Sequence, residues 1–416
     1  MKIAIVGSGI AGLTCAHGLH REHEITVFEA DDRVGGHTNT VVVEEAGRRI
    51  PVDTGFIVFN DRTYPNFIRL LEQLGVRSRP TDMGFGVRLE RNGLEYGSTG
   101  LNMLFAQRRN ALRPSFHRML RDVLRFHREA QALLAHPEEK ATLGEFLAER
   151  GYGSEFVDDH LVPMASAIWS AEPPRILDFP AVSFVRFYAQ HGLLQRSGGP
   201  VWQTVEGGSR RYVEVLTRPF RDRIRTASPV VGVRRERRGV RIRVRGREPE
   251  AFDHVVLACH SDQALAMLED PSPAEERILG DIRYQPNEAV LHTDVTLLPK
   301  QRRAWACWNV RVPVAPGDRV QVTYHMNQLQ RIEAAEQYCV TLNRSDAIDP
   351  ARVLGRFSYA HPVFDSAAIA AQGLHDRISG LRRTHYCGAY WGYGFHEDGV
   401  RSALPVLEAL GAELAP

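Results

Sequence analysis

The first 29 residues constrain this chain more than anything after them. Lys2 to Val6 is a short apolar run rich in β-branched residues, the pattern of a strand buried on both faces of a parallel sheet. It runs straight into Gly7-Ser8-Gly9-Ile10-Ala11-Gly12, and a helical stretch follows to Arg21. A second apolar run, Glu24-Ile-Thr-Val-Phe28, ends at Glu29. Each piece has a physical task. Gly7 makes the tight turn out of the strand, Gly9 lets the backbone approach a pyrophosphate, and Gly12 lets helix and strand pack closely. The N-terminus of that helix, expected at Leu13 with Ile10 and Ala11 leading into it, offers unpaired N–H groups and a positive dipole end to the phosphates. Glu29, 22 residues after Gly7, stands where a carboxylate accepts hydrogen bonds from ribose hydroxyls. A glycine pattern alone is weak. Strand, glycines, helix, second strand and acid in this order predict a Rossmann-type dinucleotide site.

The next residues select the dinucleotide. Asp31-Asp32-Arg33-Val34-Gly35-Gly36-His37 carries a second glycine pair for which a nicotinamide enzyme has no use. The pattern resembles the flavin-dependent amine oxidase and phytoene desaturase superfamily, and that resemblance implies FAD as cofactor. In the family the two glycines run beside the FAD pyrophosphate and a following Arg contacts it. Here His37 stands in that place after Gly36, which weakens or removes the contact. Further segments resemble the family at similar spacing. Gly55 and Phe56 in Val52-Asp-Thr-Gly-Phe56 correspond to the segment passing the isoalloxazine, and Val230 to the strand residue whose backbone meets the adenine. Asp253 to Ala258 resembles the strand ending in Ala-Thr-Pro, with Cys259-His260 in place of Thr-Pro. Gly388 lies in a counterpart of Ala-Gly-Glu. Asp398, Gly399 and Val400 begin a counterpart of Gly-Ala-x-x-Ser, which implies the start of a last helix aimed at the flavin O2.

These matches are scattered, so the fold expected is α/β: a Rossmann-type, glutathione-reductase-like FAD-binding domain with an interleaved α+β substrate domain. The FAD-binding domain is expected from residues 1–63, 197–284 and 380–416, and the substrate-binding domain from 64–196 and 285–379. A length of 416 residues suits two to three lobes, and 43% hydrophobic with 25% charged residues excludes wholesale disorder. A net charge of +2 gives no reason to expect nucleic acid as a partner. Five scattered cysteines without a CxxC pair suggest neither a disulfide framework nor a zinc site, and the histidines show no metal spacing. No run of 18 apolar residues occurs. The expectation is a cytoplasmic protein, in one reading peripheral to the inner face of the membrane, with its oligomeric state open.

The membrane reading rests on residues 101–136, expected as one or two amphipathic helices. Leu101, Leu104, Phe105, Leu112, Phe116, Met119, Leu120, Val123, Leu124 and Phe126 are assigned to the apolar side, and seven arginines accompany them. Such a helix docks on anionic lipid or is a solvated face on a core helix. Val240-Arg-Ile-Arg-Val-Arg245 reads as a half-buried strand with its arginines in water.

Tyr393 and His396, just before the last helix, are the candidates for catalytic residues nearest the flavin. Trp305, Trp308 and Asn309 read equally as strand packing or as a ring-side cluster. Many amine oxidases place a lysine on a substrate-domain strand. The comparable stretch, Arg283 to His292, has Asn287-Glu288 instead. Gly35 to Thr40, Asp53 to Asn60 and Gly392 to Gly399 more closely resemble bacterial amine-oxidase-like FAD proteins associated with cyclopropane and furan fatty-acid modification. That resemblance implies a small-molecule or lipid substrate, and a desaturase taking hydride from a fatty-acyl chain to flavin N5. The alternatives are an amine oxidase with an altered flavin-side site, or a non-catalytic flavoprotein partner of a lipid-modifying enzyme.

Overall fold

The computed structural model describes residues 1–136, 140–169, 173–194, 198–314 and 320–414. Its organising element is a five-stranded parallel sheet. In spatial order the strands are Ile224–Arg225, Glu24–Phe28, Lys2–Val6, His254–Leu257 and Thr384–Tyr386. Ile3, Ile5, Val27 and Val256 are fully or almost fully buried, as expected for strands covered on both faces. Helices Ile10–Leu19 and His396–Ala409 pack together on one side of this sheet, with Leu13, Leu19, Val400 and Leu407 in one core. The fold is a mixed α/β architecture, with further sheets beside the parallel one.

A small antiparallel sheet, Val230–Glu236, Gly239–Val244 and Glu250–Phe252, covers the other side. Val240, Ile242 and Val244 are buried while Arg241, Arg243 and Arg245 are exposed, the alternation of a one-faced strand. Arg235 departs from that pattern. It is buried, because Asp270 and Glu275 supply the charges that pair it.

The third sheet has seven strands, ordered Val353–Pro362, Tyr284–His292, Cys339–Leu342, Gln321–His325, Trp308–Val312, Phe85–Leu89 and Glu95–Gly97. Helix Pro114–Leu133 and the helices between residues 143 and 190 form a separate apolar core beside it. The stretch 101–136 is broken into helix Gly100–Leu104, a 3-10 turn at Arg108–Leu112 and helix Pro114–Leu133, with Pro114 opening the last. Phe116, Met119 and Phe126 are buried as expected. Leu101 and Leu112 are not: they are 74% and 87% exposed, because the breaks turn them away from the stripe. Leu124 is exposed as well. Among the described residues no helix is long and apolar enough to cross a membrane.

Candidate functional site

Steric crowding dictates the loop after the first strand. Gly7 has φ +104°, and a Cβ there would lie 2.7 Å from the Ala258 carbonyl oxygen. A Cβ on Gly12 would fall 2.0 Å from the Gly7 oxygen and 3.1 Å from the Ala258 Cβ. Gly9 is the opposite case: its missing Cβ would meet nothing within 4 Å. Helix Ile10–Leu19 starts at this opening with no side-chain cap and no acid in its first turn. Its leading N–H groups, at Ile10 and Ala11, are left to a ligand, which is the chemistry a diphosphate needs.

Glu29 is buried beside the loop. Its carboxylate accepts from the Ser8 N–H at 2.9 Å, from the Ser8 hydroxyl and from the Asp31 N–H at 3.0 Å. The Glu29 carbonyl accepts from the Ser228 N–H, so the chain leading to Val230 runs alongside it. Gly36 closes on the loop from above, where a Cβ would lie 3.0 Å from the Gly9 Cα. A Cβ on Gly55 would lie 2.1 Å from the His37 oxygen, which also accepts from the Phe56 N–H at 2.9 Å. Residues 35–37 and 55–56 therefore form one packed wall next to the glycine loop.

Behind that wall stands a buried carboxylate. Asp53 accepts from Thr40, from the Ser209 N–H and hydroxyl, and from the Gln330 amide at 2.7 Å. Burial raises its pKa to about 6, against the pull of those donors. It fastens residues 40, 209 and 330 to the Thr54-Gly55 turn.

The C-terminal helix begins at His396, two residues before the expected start at Asp398. The Asp398 carboxylate folds back to accept from the N–H groups of Tyr393 and Phe395 at 3.0 Å each, and from Arg401. Burial raises its pKa to about 6. It caps its own helix end. Gly399 serves contact: a Cβ there would lie 2.7 Å from Ile10 Cγ2, so the two helix starts meet because it has none. Val400 is fully buried. The Gly388 N–H donates to the Ser402 hydroxyl at 2.9 Å, and that hydroxyl donates to the Gly399 carbonyl. The two C-terminal sequence motifs are thereby tied to each other.

The structure does not bring Tyr393 and His396 together. The His396 ring stacks on Phe56, with centroids 3.4 Å apart, and its Nε2 lies 3.0 Å from both the Thr38 and Tyr212 hydroxyls. Burial holds this imidazole neutral. Tyr393 faces away, edge-on to Phe187 in the helical core. Trp308 packs edge-on to Tyr324, and the Asn309 amide bonds the backbone of Ala306 and Thr323, which is strand packing.

Groups that sequence reasoning missed lie where the parallel and seven-stranded sheets meet. His260 stacks on Tyr284 at 4.3 Å, His361 lies 5.6 Å from His37, and the Tyr359 hydroxyl bonds Asn39 and Thr54. A cavity opens beside His361, walled by Trp169, Ile176, Phe179, Val363 and Phe364, with Arg175 and Gln285 also on its lining. The one available signal was His260, three residues past the end of strand His254–Leu257. Among the described residues no group of His, Cys, Asp and Glu is arranged to hold a metal ion.

The residues present fit a dinucleotide: an open glycine at an uncapped helix start, with a carboxylate next to it. Comparison with known proteins agrees. The sequence model of the flavin containing amine oxidoreductases matches residues 10–296. A Mycobacterium tuberculosis protein bearing the name flavin-containing monoamine oxidase AofH is 27% identical over 289 residues, covering 67% of this chain. The chain spans 62% of that relative's length. Cyclohexylamine oxidase from Brevibacterium oxydans superposes with a TM-score of 0.70 at 16% identity, each chain covered to 99%. A fatty acid isomerase from P. acnes, producing CLA, superposes with a TM-score of 0.68 at 16% identity, covering 98% of this chain and 97% of its own.

Proposed function

Because the chain belongs to the flavin-containing amine oxidoreductase family and so carries FAD, we propose that it oxidises an apolar, fatty-acyl substrate as a desaturase. Bound FAD supplies a two-electron acceptor. The protein's share is to hold it and to shape what approaches. Residues 1–63, 197–284 and 380–416 form the FAD-binding part in this reading, and 64–196 with 285–379 the substrate part. Gly7, Gly9, Ile10, Ala11 and Gly12 take the diphosphate and Glu29 a ribose. Gly36, His37, Gly55 and Phe56 line the path onward, Val230 and Ala258 flank the nucleotide, and Gly388, Asp398, Gly399 and Val400 set the helix start at the far end.

The observation that supports the substrate class is the aromatic and aliphatic lining beside His361, Trp169, Ile176, Phe179, Val363 and Phe364, which suits a hydrocarbon. The void among these side chains is about 20 Å³, the size of one water, so they must part to admit a chain. The described part of strand Tyr284–His292 also offers Asn287 and Glu288 where a lysine would favour the amine reading. The anionic-surface partner is proposed on the exposed Leu101 and Leu112, which are flanked by the exposed Arg108 and Arg109. His396, being locked against Phe56, serves to position that wall, and Tyr393 serves as packing.

Ile176→Trp tests the cavity by filling it. The variant is expected to retain FAD while losing binding of a fluorescent fatty acid, with a lowered unfolding temperature because a Trp overpacks the void of about 20 Å³ beside the buried Ile176. Unchanged fatty-acid binding would remove the cavity from the account.

A further inference from the structure

Three imidazoles from distant segments converge beside the glycine loop. His37 follows Gly36, which packs on Gly9, and His260 follows Ala258 and Cys259, whose backbone borders Gly7. His361 arrives on strand Val353–Pro362, opposite Gln285. The His37 ring centroid lies 5.9 Å from that of His260 and 5.6 Å from that of His361.

Donor and acceptor logic singles out which of them are free to change charge. The Glu288 N–H donates to Asn343 Oδ1 at 3.0 Å, so the Asn343 amide nitrogen donates to Asn287 Oδ1 at 2.7 Å. That leaves the Asn287 amide nitrogen facing His361 Nδ1 at 3.1 Å. An amide nitrogen only donates, so Nδ1 accepts and the His361 proton sits on Nε2. Protonating His361 would break this chain. His37 and His260 carry no such constraint.

All three rings are neutral near pH 7 in the protein without its ligand. Burial is the main cause, bringing His37 and His260 down to about 4 and His361 to about 3, with repulsion between the rings adding to it. Arg33 and His396 act directly on His37, Tyr359 packs beside it and Tyr284 stacks on His260; Asp53 lies beyond Tyr359, and Glu29 and Asp262 lie beyond Cys259. Of these only Arg33 is a permanent cation, and it donates to the Thr38 carbonyl. A diphosphate at Gly9 brings two negative charges into a corner with one fixed positive charge.

We propose that His37 and His260 together take up one proton from solvent when a diphosphate is seated at the glycine loop, so that FAD is held more tightly in acid than in alkali. This rests on the FAD reading above. One proton is shared because two imidazolium rings 5.9 Å apart repel each other. The sign follows from linkage. Binding raises the pair's pKa above the value of about 4 that it has without ligand. The added affinity is complete below the ligand-free value of about 4 and is lost as pH rises through the raised value.

FAD is titrated calorimetrically into flavin-depleted full-length protein in phosphate and in Tris, whose ionisation enthalpies differ, and Kd is followed by flavin fluorescence from about pH 5.5 to about 9. The expected result is uptake of about one proton, with Kd rising roughly tenfold per pH unit over part of the range. His37→Arg, which installs a permanent cation, is expected to keep binding while flattening the pH dependence. His260→Asn is expected to reduce proton uptake with the unfolding temperature unchanged. FAD binding without proton uptake and with constant Kd would overturn the inference alone. No FAD binding at any pH would overturn the FAD reading itself, and the inference with it.

Discussion

The glycine loop and the cavity beside His361 are connected through the same Gly36-His37 turn, yet they are made by opposite means. The loop is backbone: glycines 7, 9 and 12 stand within six residues, two because neighbours at 2.0–2.7 Å leave no room and one because a ligand needs the room. The cavity is side chain: Trp169 and Ile176 come from helices and Phe179 from the bend after them, and Val363 and Phe364 follow a strand almost 200 residues later. A site made of backbone tolerates no substitution at its few fixed positions. A site made of side chains tolerates many, each with a graded effect. Substrate class can therefore vary on such a scaffold while the cofactor stays the same.

Substitutions at the loop give the sharpest test of that contrast. Gly9→Val is expected to weaken FAD binding by about a hundredfold or more while leaving the fold intact, because its Cβ enters open space and its bulk enters the ligand's. Glu29→Ala, removing a side chain from the same place, is expected to cost only about tenfold, the scale of one hydrogen-bonding partner. Flavin retention after gel filtration and circular dichroism read both. Equal effects would mean that the loop and its side chains are not different kinds of site.

The same contrast explains what the sequence could tell. The first two parallel strands and the loop between them were legible because pattern and spacing are local: residues 2–29 contain that whole unit. Gly388 and Gly399 were legible as motif, but their connection through Ser402 was not, since it needs a fold that brings residues 388 and 402 together. The start of the last helix was expected two residues late, because Asp398 looks like a first residue when it caps from the third position. The pairing of Asn343, Asn287 and His361 depends on register between three strands, and register is set by burial rather than by any short motif. For the same reason Leu101 and Leu112 were assigned to a buried stripe that Pro114 interrupts.

The exposed leucines give the smallest expected effect. Leu101→Ser with Leu112→Ser is expected to change stability by less than about 0.5 kcal/mol, since both side chains are already in water. It is expected to reduce pelleting with phosphatidylserine vesicles at low salt, the condition in which exposed charges are least screened. Wild-type protein that fails to pellet at low salt would remove the surface from the account.

The central claim is that a conventional flavin site serves an apolar substrate pocket, and anaerobic reduction of the purified holoenzyme tests it most directly. The visible band of oxidised flavin would be followed while methylated and unsaturated phospholipids or fatty acids, and separately a panel of amines, are added without oxygen. The account predicts bleaching by an acyl substrate and none by amines. Bleaching by an amine alone would contradict it and return the protein to amine oxidation, while a flavin reduced by dithionite but by no substrate would make it a non-catalytic flavoprotein.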